Sequence, residues 1–258
     1  MNFLASALSR LTEFQTLETA FQTNALPAAA AGLSGIHKAA FAYGLFQKLQ
    51  PQRPMLFLAA EEAEGQRLCS DLNAMGLRAF FYPARDFNFR EVESVSHEYE
   101  HQRLQALCHV LENRCDCVIA CIDAALQHTI PPDELQNRTR TLQTGQTISM
   151  AELTGVLVNC GYERAEQIDG PGQFSQRGGI LDFFTPDAPY PIRVEFWGDE
   201  IDTLSYFDLE SQRRTDPIDS VTVSPSVEAL IAQPDLKKKK IETHAATLRG
   251  KAAPKAKE

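Results

Sequence analysis

The sequence predicts two folded parts: an α/β unit on a parallel sheet with flanking helices, then a smaller α+β unit on an antiparallel sheet. Three observations carry this. Between residues 54 and 121, short apolar runs alternate with helical segments, as in strands buried under crossover helices. After Pro131-Pro132 the runs become short, alternating and separated by Gly, Pro and Asp turns, as in a meander. The length of 258 residues suits one large domain or two ordinary ones, and 43% hydrophobic with 23% charged residues is a globular balance.

Taken in order, Leu4, Leu8, Leu11, Phe14, Leu17 and Phe21 recur at helical spacing, so residues 4–21 are expected to form one amphipathic helix filling an N-terminal segment, 1–24. Pro27 and an Ala-rich run lead to Gly32, and a helix follows from about Lys38 to Leu49. Residues 54–60 read as a buried parallel strand. Glu61 to Met75 reads as a helix closed by Gly76 as its C′ residue. Residues 79–82 form the next strand, Ser96 to Leu111 a helix, and 117–121 a third strand, after which Asp123 caps a short helix. This α/β unit spans 25–131.

In the second unit, 132–225, Ser149-x-x-Glu152 is a capping box before a helix from Met150 to Cys160 that stops at Gly161. Strands are expected at 165–168, 173–176, 180–184, 192–197 and 201–207, with Gly178-Gly179 permitting a bulge or a tight approach. Along 192–197, Ile192, Val194 and Phe196 share one face and should pack on that helix. Arg193, Glu195 and Trp197 share the other, where Phe183 or Phe184 is also expected to be partly exposed. An Arg, an acid and an aromatic side by side suit a protein interface.

Net charge is −9 and uneven. Residues 236–258 carry eight Lys or Arg against two Glu, a net of +6, which leaves −15 on residues 1–235. An acidic body argues against broad nucleic-acid binding by the folded part. The tail reads as a solvated, unstructured end whose charge suits only non-specific contact with DNA. The N-terminus has no cationic start followed by an apolar core. No apolar run reaches the roughly 18 residues of a membrane helix. The expectation is a cytoplasmic protein without membrane contact, monomeric, with its six cysteines as free thiols. Cys115, Cys117 and Cys121 lack a second ligand pair at zinc spacing.

Two stretches imitate catalytic motifs. Gly32, Gly35, His37, Lys38 and Ala39 stand where a phosphate-binding loop would precede a helix, but His37 replaces the closing glycine and Ala39 the magnesium-binding hydroxyl. Lys38 alone is left to attract an anion at the helix N-terminus. Ala124 follows Asp123 where a catalytic Glu is wanted. His97-Glu98-Tyr99-Glu100-His101 matches H-E-x-x-H, yet it has a charged inner residue and no third ligand in a recognisable pattern, so a charged helix face is expected and no metal.

Two series are distinctive. One is Phe81-Tyr82-Pro83-Ala84-Arg85-Asp86-Phe87 followed by Glu100-His101-Gln102-Arg103-Leu104. The other runs from Gly161-Tyr162-Glu163-Arg164 through Gly170-Pro171-Gly172-Gln173-Phe174 and Arg177-Gly178-Gly179-Ile180 to Arg193-Val194-Glu195-Phe196-Trp197-Gly198-Asp199 and Phe207-Asp208. Over about residues 25–225 the chain resembles the UvrB-like module of the transcription-repair coupling factors, the Mfd family, and more loosely UvrB. The resemblance implies a degenerate helicase-like first domain similar to UvrB domain 1, a UvrA-binding second domain, and a segment from 226 onward that returns to the first domain. It places Arg164, Arg177, Arg193 and Glu195 at UvrA-contacting positions, with Phe183 counted among them. It also implies that RNA polymerase and DNA are contacted, and ATP and magnesium used, by parts further along the family's chain, where the motor lies. No second phosphate loop or helicase motif series occurs here, so the chain is expected to be a fragment or a shortened homologue that does no catalysis itself. A UvrB-like ATPase fragment and a non-specific DNA-binding module are the alternatives.

Overall fold

The computed structural model describes residues 2–85 and 97–228, together with Thr243. Asp86, Phe87, Ser96 and all of the basic tail but Thr243 lie outside the described residues.

The first body contains α1 (Asn2–Leu8), α2 (Thr12–Gln22), α3 (Gly35–Leu49), β1 (Met55–Ala59), α4 (Glu62–Ala74), β2 (Ala79–Tyr82), α5 (Glu98–Leu111), β3 (Cys117–Cys121) and α6 (Ile122–Ala125). Its sheet is three-stranded and parallel in the order β1-β3-β2. Strand alternation sends Phe57, Ala59, Ala79, Phe81, Cys117 and Ile119 toward α3 and α4. Phe80, Tyr82, Val118 and Ala120 meet α5 and α6 on the other face. The reading of β1 as a buried strand is corrected. β1 is an edge strand, α5 lies over the far edge, and Leu56 and Leu58 are exposed.

The single N-terminal helix is also corrected to two. Leu8 and Phe14 both press on Gly44 of α3, where a Cβ would lie 2.9 Å from Leu8 and 3.0 Å from the Phe14 ring. On one straight helix, residues six apart stand about 120° apart around the axis, so they cannot both reach one glycine. The turn at Ser9–Leu11, where Leu11 N–H donates to the Leu8 carbonyl at 2.9 Å, re-aims the second helix. Asp123 lies in the first turn of α6; the N-cap position belongs to Cys121. Gly76 (φ +93°) ends α4 as read, and Leu77 N–H donates to the Leu72 carbonyl.

Next come α7 (Pro132–Arg138), β4 (Arg140–Gln143), α8 (Met150–Asn159), β5 (Glu163–Arg164), β6 (Gln173–Arg177), β7 (Ile180–Phe183), β8 (Ile192–Trp197), β9 (Glu200–Phe207), β10 (Arg214–Pro217) and β11 (Ser220–Val223). The main sheet has six strands in the order β10-β9-β8-β7-β6-β5, antiparallel except for the parallel pair β5–β6. β4 and β11 form a separate two-stranded ribbon. The strand expected at 165–168 is instead the short β5 just before it, and Gly178-Gly179 is a two-residue turn between paired Arg177 and Ile180, not a bulge. Ser149 accepts the Glu152 N–H at 3.1 Å, which starts α8 as the capping box predicts. One face of the sheet packs under α8 and the ribbon, burying Leu153, Leu157, Phe174, Leu181, Phe183, Ile192, Val194 and Leu142.

The two bodies meet on α5. Arg103, fully buried, donates from Nε and Nη2 to the two oxygens of Glu228 at 2.7 and 3.0 Å and from Nη1 to the Pro83 carbonyl at 2.8 Å. Its guanidinium lies 4.0 Å over the Tyr82 ring. Burial pushes the Glu228 carboxyl up, but the hydrogen bond from Arg103, with help from Thr129, leaves it below the ordinary Glu range. Beside this pair, Gly172 (φ +81°) brings its backbone against α5: a Cβ there would stand 3.1 Å from His101 Nε2 and 3.3 Å from Ser226. The chain leaving the second body is therefore held on the first by a paired, desolvated charge. Arg103→Leu should lower the unfolding free energy in a urea titration by about 3–5 kcal/mol, because it strands a buried carboxylate; a loss below about 1 kcal/mol would contradict the joint as described.

Candidate functional site

The face of the six-stranded sheet turned away from α8 is built from every second residue of β6 to β9. Pairing aligns Arg177 with Ile180, Ile180 with Glu195, and Glu195 with Thr203 in one row. The neighbouring row is Ser175, Asp182, Arg193 and Ser205. At one end Ile168, Phe184 and Phe207 close over this face with Leu209. Among the described residues the other end is open and finishes at Trp197, 83% exposed where β8 turns through Gly198 into β9.

Asp182 organises the charges. It is 1% exposed and accepts from Arg193 Nε and Nη2, each at 2.8 Å, and from Arg177 Nη2 at 3.3 Å. Arg193 also donates Nη1 to the Gln212 carbonyl at 3.2 Å and lies 4.8 Å over the Phe207 ring. Donating hydrogen bonds to the Asp182 carboxylate pushes the Arg193 pKa up. Glu195 pairs with Arg214 at 3.4 Å, an exposed contact worth under about 1 kcal/mol.

These positions correct several expectations. The Arg193 side chain is only 13% exposed and spends its guanidinium on its own domain, whereas that of Arg177 is 52% exposed. Phe183 is fully buried in the core and offers nothing to a partner; Phe184 is buried too, on the opposite face. Arg164 is exposed, but β5 lies three strands from β8, and its register partner is the core residue Phe174. It does not join Arg193 and Glu195. The face thus gathers Arg177, Glu195 and Trp197 as read, adds Arg214, and rests on Asp182. Asp182 had a signal, a lone acid inside the apolar run Ile180-Leu181-Asp182-Phe183; Arg214 had none.

The residues of the degenerate phosphate loop are engaged with one another and with α4. Lys38, the expected anion ligand, is bound to Glu64, and this hydrogen bond holds the Glu64 carboxyl below its ordinary value. His37 Nδ1 shares a hydrogen bond with Ser34 Oγ at 3.0 Å, and Ala39 is fully buried in the core. A cleft of about 540 Å³ at this helix start is lined by both signs of charge, Lys38 and Arg67 with Glu64 and Asp71. His97 and His101 stack with ring centroids 6.0 Å apart. Burial pushes His101 below the ordinary His range, and His97 adds to this. Among the described residues no group of three His, Cys, Asp or Glu could hold a metal ion, and no helix is long and apolar enough to cross a membrane.

Residues 141–228 match the family model of the UvrB interaction domain. The chain is also 29% identical over 215 residues to the transcription-repair-coupling factor of Bacillus subtilis (strain 168), an alignment covering 82% of this chain and 18% of that protein. It is 27% identical over 237 residues to the transcription-repair-coupling factor of Staphylococcus aureus (strain Mu50 / ATCC 700699), covering 90% and 20% respectively. The chain spans about a fifth of the length of the curated relatives it matches.

The two arginines on Asp182 should separate in stability. Arg193→Ala leaves a buried carboxylate with a single remaining donor, Arg177 at 3.3 Å, and should cost about 2–4 kcal/mol in urea unfolding. Arg177→Ala should change stability by less than about 1 kcal/mol. Equal losses would contradict the division between a structural and a presented arginine.

Proposed function

We propose that this chain is a docking module for the repair protein UvrA and that, as part of a transcription-repair coupling factor, it recruits excision repair to stalled RNA polymerase. The observation that carries the reading is a coincidence of two spans. The match to the UvrB interaction domain, 141–228, contains the whole six-stranded sheet, and that sheet leaves one end of its outer face open. Arg177, Glu195, Trp197 and Arg214 there combine both signs of charge with an exposed aromatic, the composition of a specific protein contact.

The module works by binding. Its first body is a scaffold: the loop that would cradle phosphate carries a Lys38–Glu64 pair, so the chain takes no nucleotide and turns nothing over. The charge of −15 on residues 1–235 opposes duplex binding by the folded part. DNA translocation, ATP and magnesium use, and the contact with RNA polymerase belong to other parts of a coupling factor.

Calorimetry of this chain with purified UvrA should give a dissociation constant of about micromolar or tighter. The double variant Arg177→Ala, Glu195→Ala should weaken binding by about tenfold or more with an unchanged melting temperature. Absence of binding by folded wild-type chain would overturn the reading.

A further inference from the structure

We propose that Asp182 is the positioning residue of the docking face: it touches no partner but orders the arginine that does. This rests on the docking reading and deepens it. An exposed arginine on a strand samples many rotamers, and fixing it on binding costs affinity. Asp182 removes part of that cost. Its carboxylate is buried, sits in β7 between the strands that carry Arg177 and Arg193, and accepts hydrogen bonds from both.

The division of labour follows from the donors. A guanidinium has five N–H groups in a rigid fork. Arg193 gives three nitrogens to Asp182 and the Gln212 carbonyl and stacks on Phe207, so it braces the carboxylate from the side of the closed mini-core. Arg177 gives one N–H, from Nη2, and stays half exposed, so the rest of its fork is left for a partner. A braced fork of this kind is matched by a carboxylate, which accepts two parallel N–H bonds. The partner group opposite Arg177 is therefore an acidic side chain. Asp182 also neutralises one of the two like charges that stand near each other on this face, so that Arg177 presents a single local positive charge.

The test is a double-mutant cycle on the full chain with UvrA, using Asp182→Asn and Arg177→Ala, with binding read by calorimetry and folding by thermal melting. Asp182→Asn keeps the side-chain shape and one acceptor oxygen. It should weaken binding by about tenfold in the wild-type background and by much less when Arg177 is already Ala. A general loss of fold would weaken both backgrounds alike, so equal effects would overturn the proposal. Wild-type binding with Asp182→Asn unchanged would overturn it while leaving the docking reading standing. No binding by the wild type would overturn both. Should Asp182→Asn fail to fold, arginine side-chain NMR on the wild-type chain decides. The proposal requires slow rotation about the Nε–Cζ bond in Arg193 and hindered rotation in Arg177, and free rotation of both overturns it.

Discussion

A six-stranded sheet has two faces, and the described residues supply a full apolar cover for only one. α8 and the β4–β11 ribbon bury the inner face through Leu153, Leu157, Leu142 and Val223, set against Phe183, Ile192 and Val194. Because side chains alternate, each buried residue on β7 and β8 fixes an outward neighbour. Leu181 and Phe183 inward put Asp182 outward; Val194 inward puts Arg193 and Glu195 outward. The outer face then divides. Ile168, Phe184, Phe207 and Leu209 close one end, and the other end stays open with charges and Trp197. A one-residue slip of β8 would send Arg193 into the core and Val194 to solvent, so the outer face and the core are two consequences of one register.

That face is held in place by a second buried ion pair. Arg103 and Glu228 join residues 125 positions apart and tie the end of the sheet domain to α5. Thr185, Asp187 and Ser224 add a hydrogen-bonded cluster nearby, and the Tyr162 hydroxyl donates to the Ser224 carbonyl at 2.8 Å. Buried charge pairs add little net stability against apolar packing, but breaking one strands an uncompensated charge, and Arg85 also approaches Glu228, at 3.6 Å. In the first body, Ala39 and Tyr43 pack where α3 meets the sheet, and Lys38 pairs with Glu64.

Much of the fold was legible because it follows from local periodicity. The capping box at Ser149, the closure of α4 at Gly76, the parallel pairing of the first sheet and the alternation of β8 all come from spacing alone, whereas the order β1-β3-β2 does not. What was hidden depends on partners distant in sequence. The break between α1 and α2 answers to Gly44, and the exposure of Leu56 and Leu58 answers to the position of β1 at an edge. The role of Glu100-His101-Gln102-Arg103 is set by Glu228 and Gly172, beyond any local pattern; the H-E-x-x-H likeness is a joint surface. In the site, alternation found Arg193, Glu195 and Trp197 but could not tell a presented arginine from one consumed by Asp182. Phe183 was misjudged because the resemblance speaks of positions in a motif, whereas burial belongs to the strand face.

The docking claim is tested most directly at Trp197, the single tryptophan of the chain and an exposed marker at the open end of the face. Incorporating 5-fluorotryptophan gives one fluorine resonance, which can be followed by NMR while unlabelled UvrA is added. With Trp197 in the interface, this resonance shifts or broadens in step with the binding heat and becomes shielded from a soluble quencher. Binding heat with an unmoved, still accessible resonance would place the contact on another surface and contradict the account.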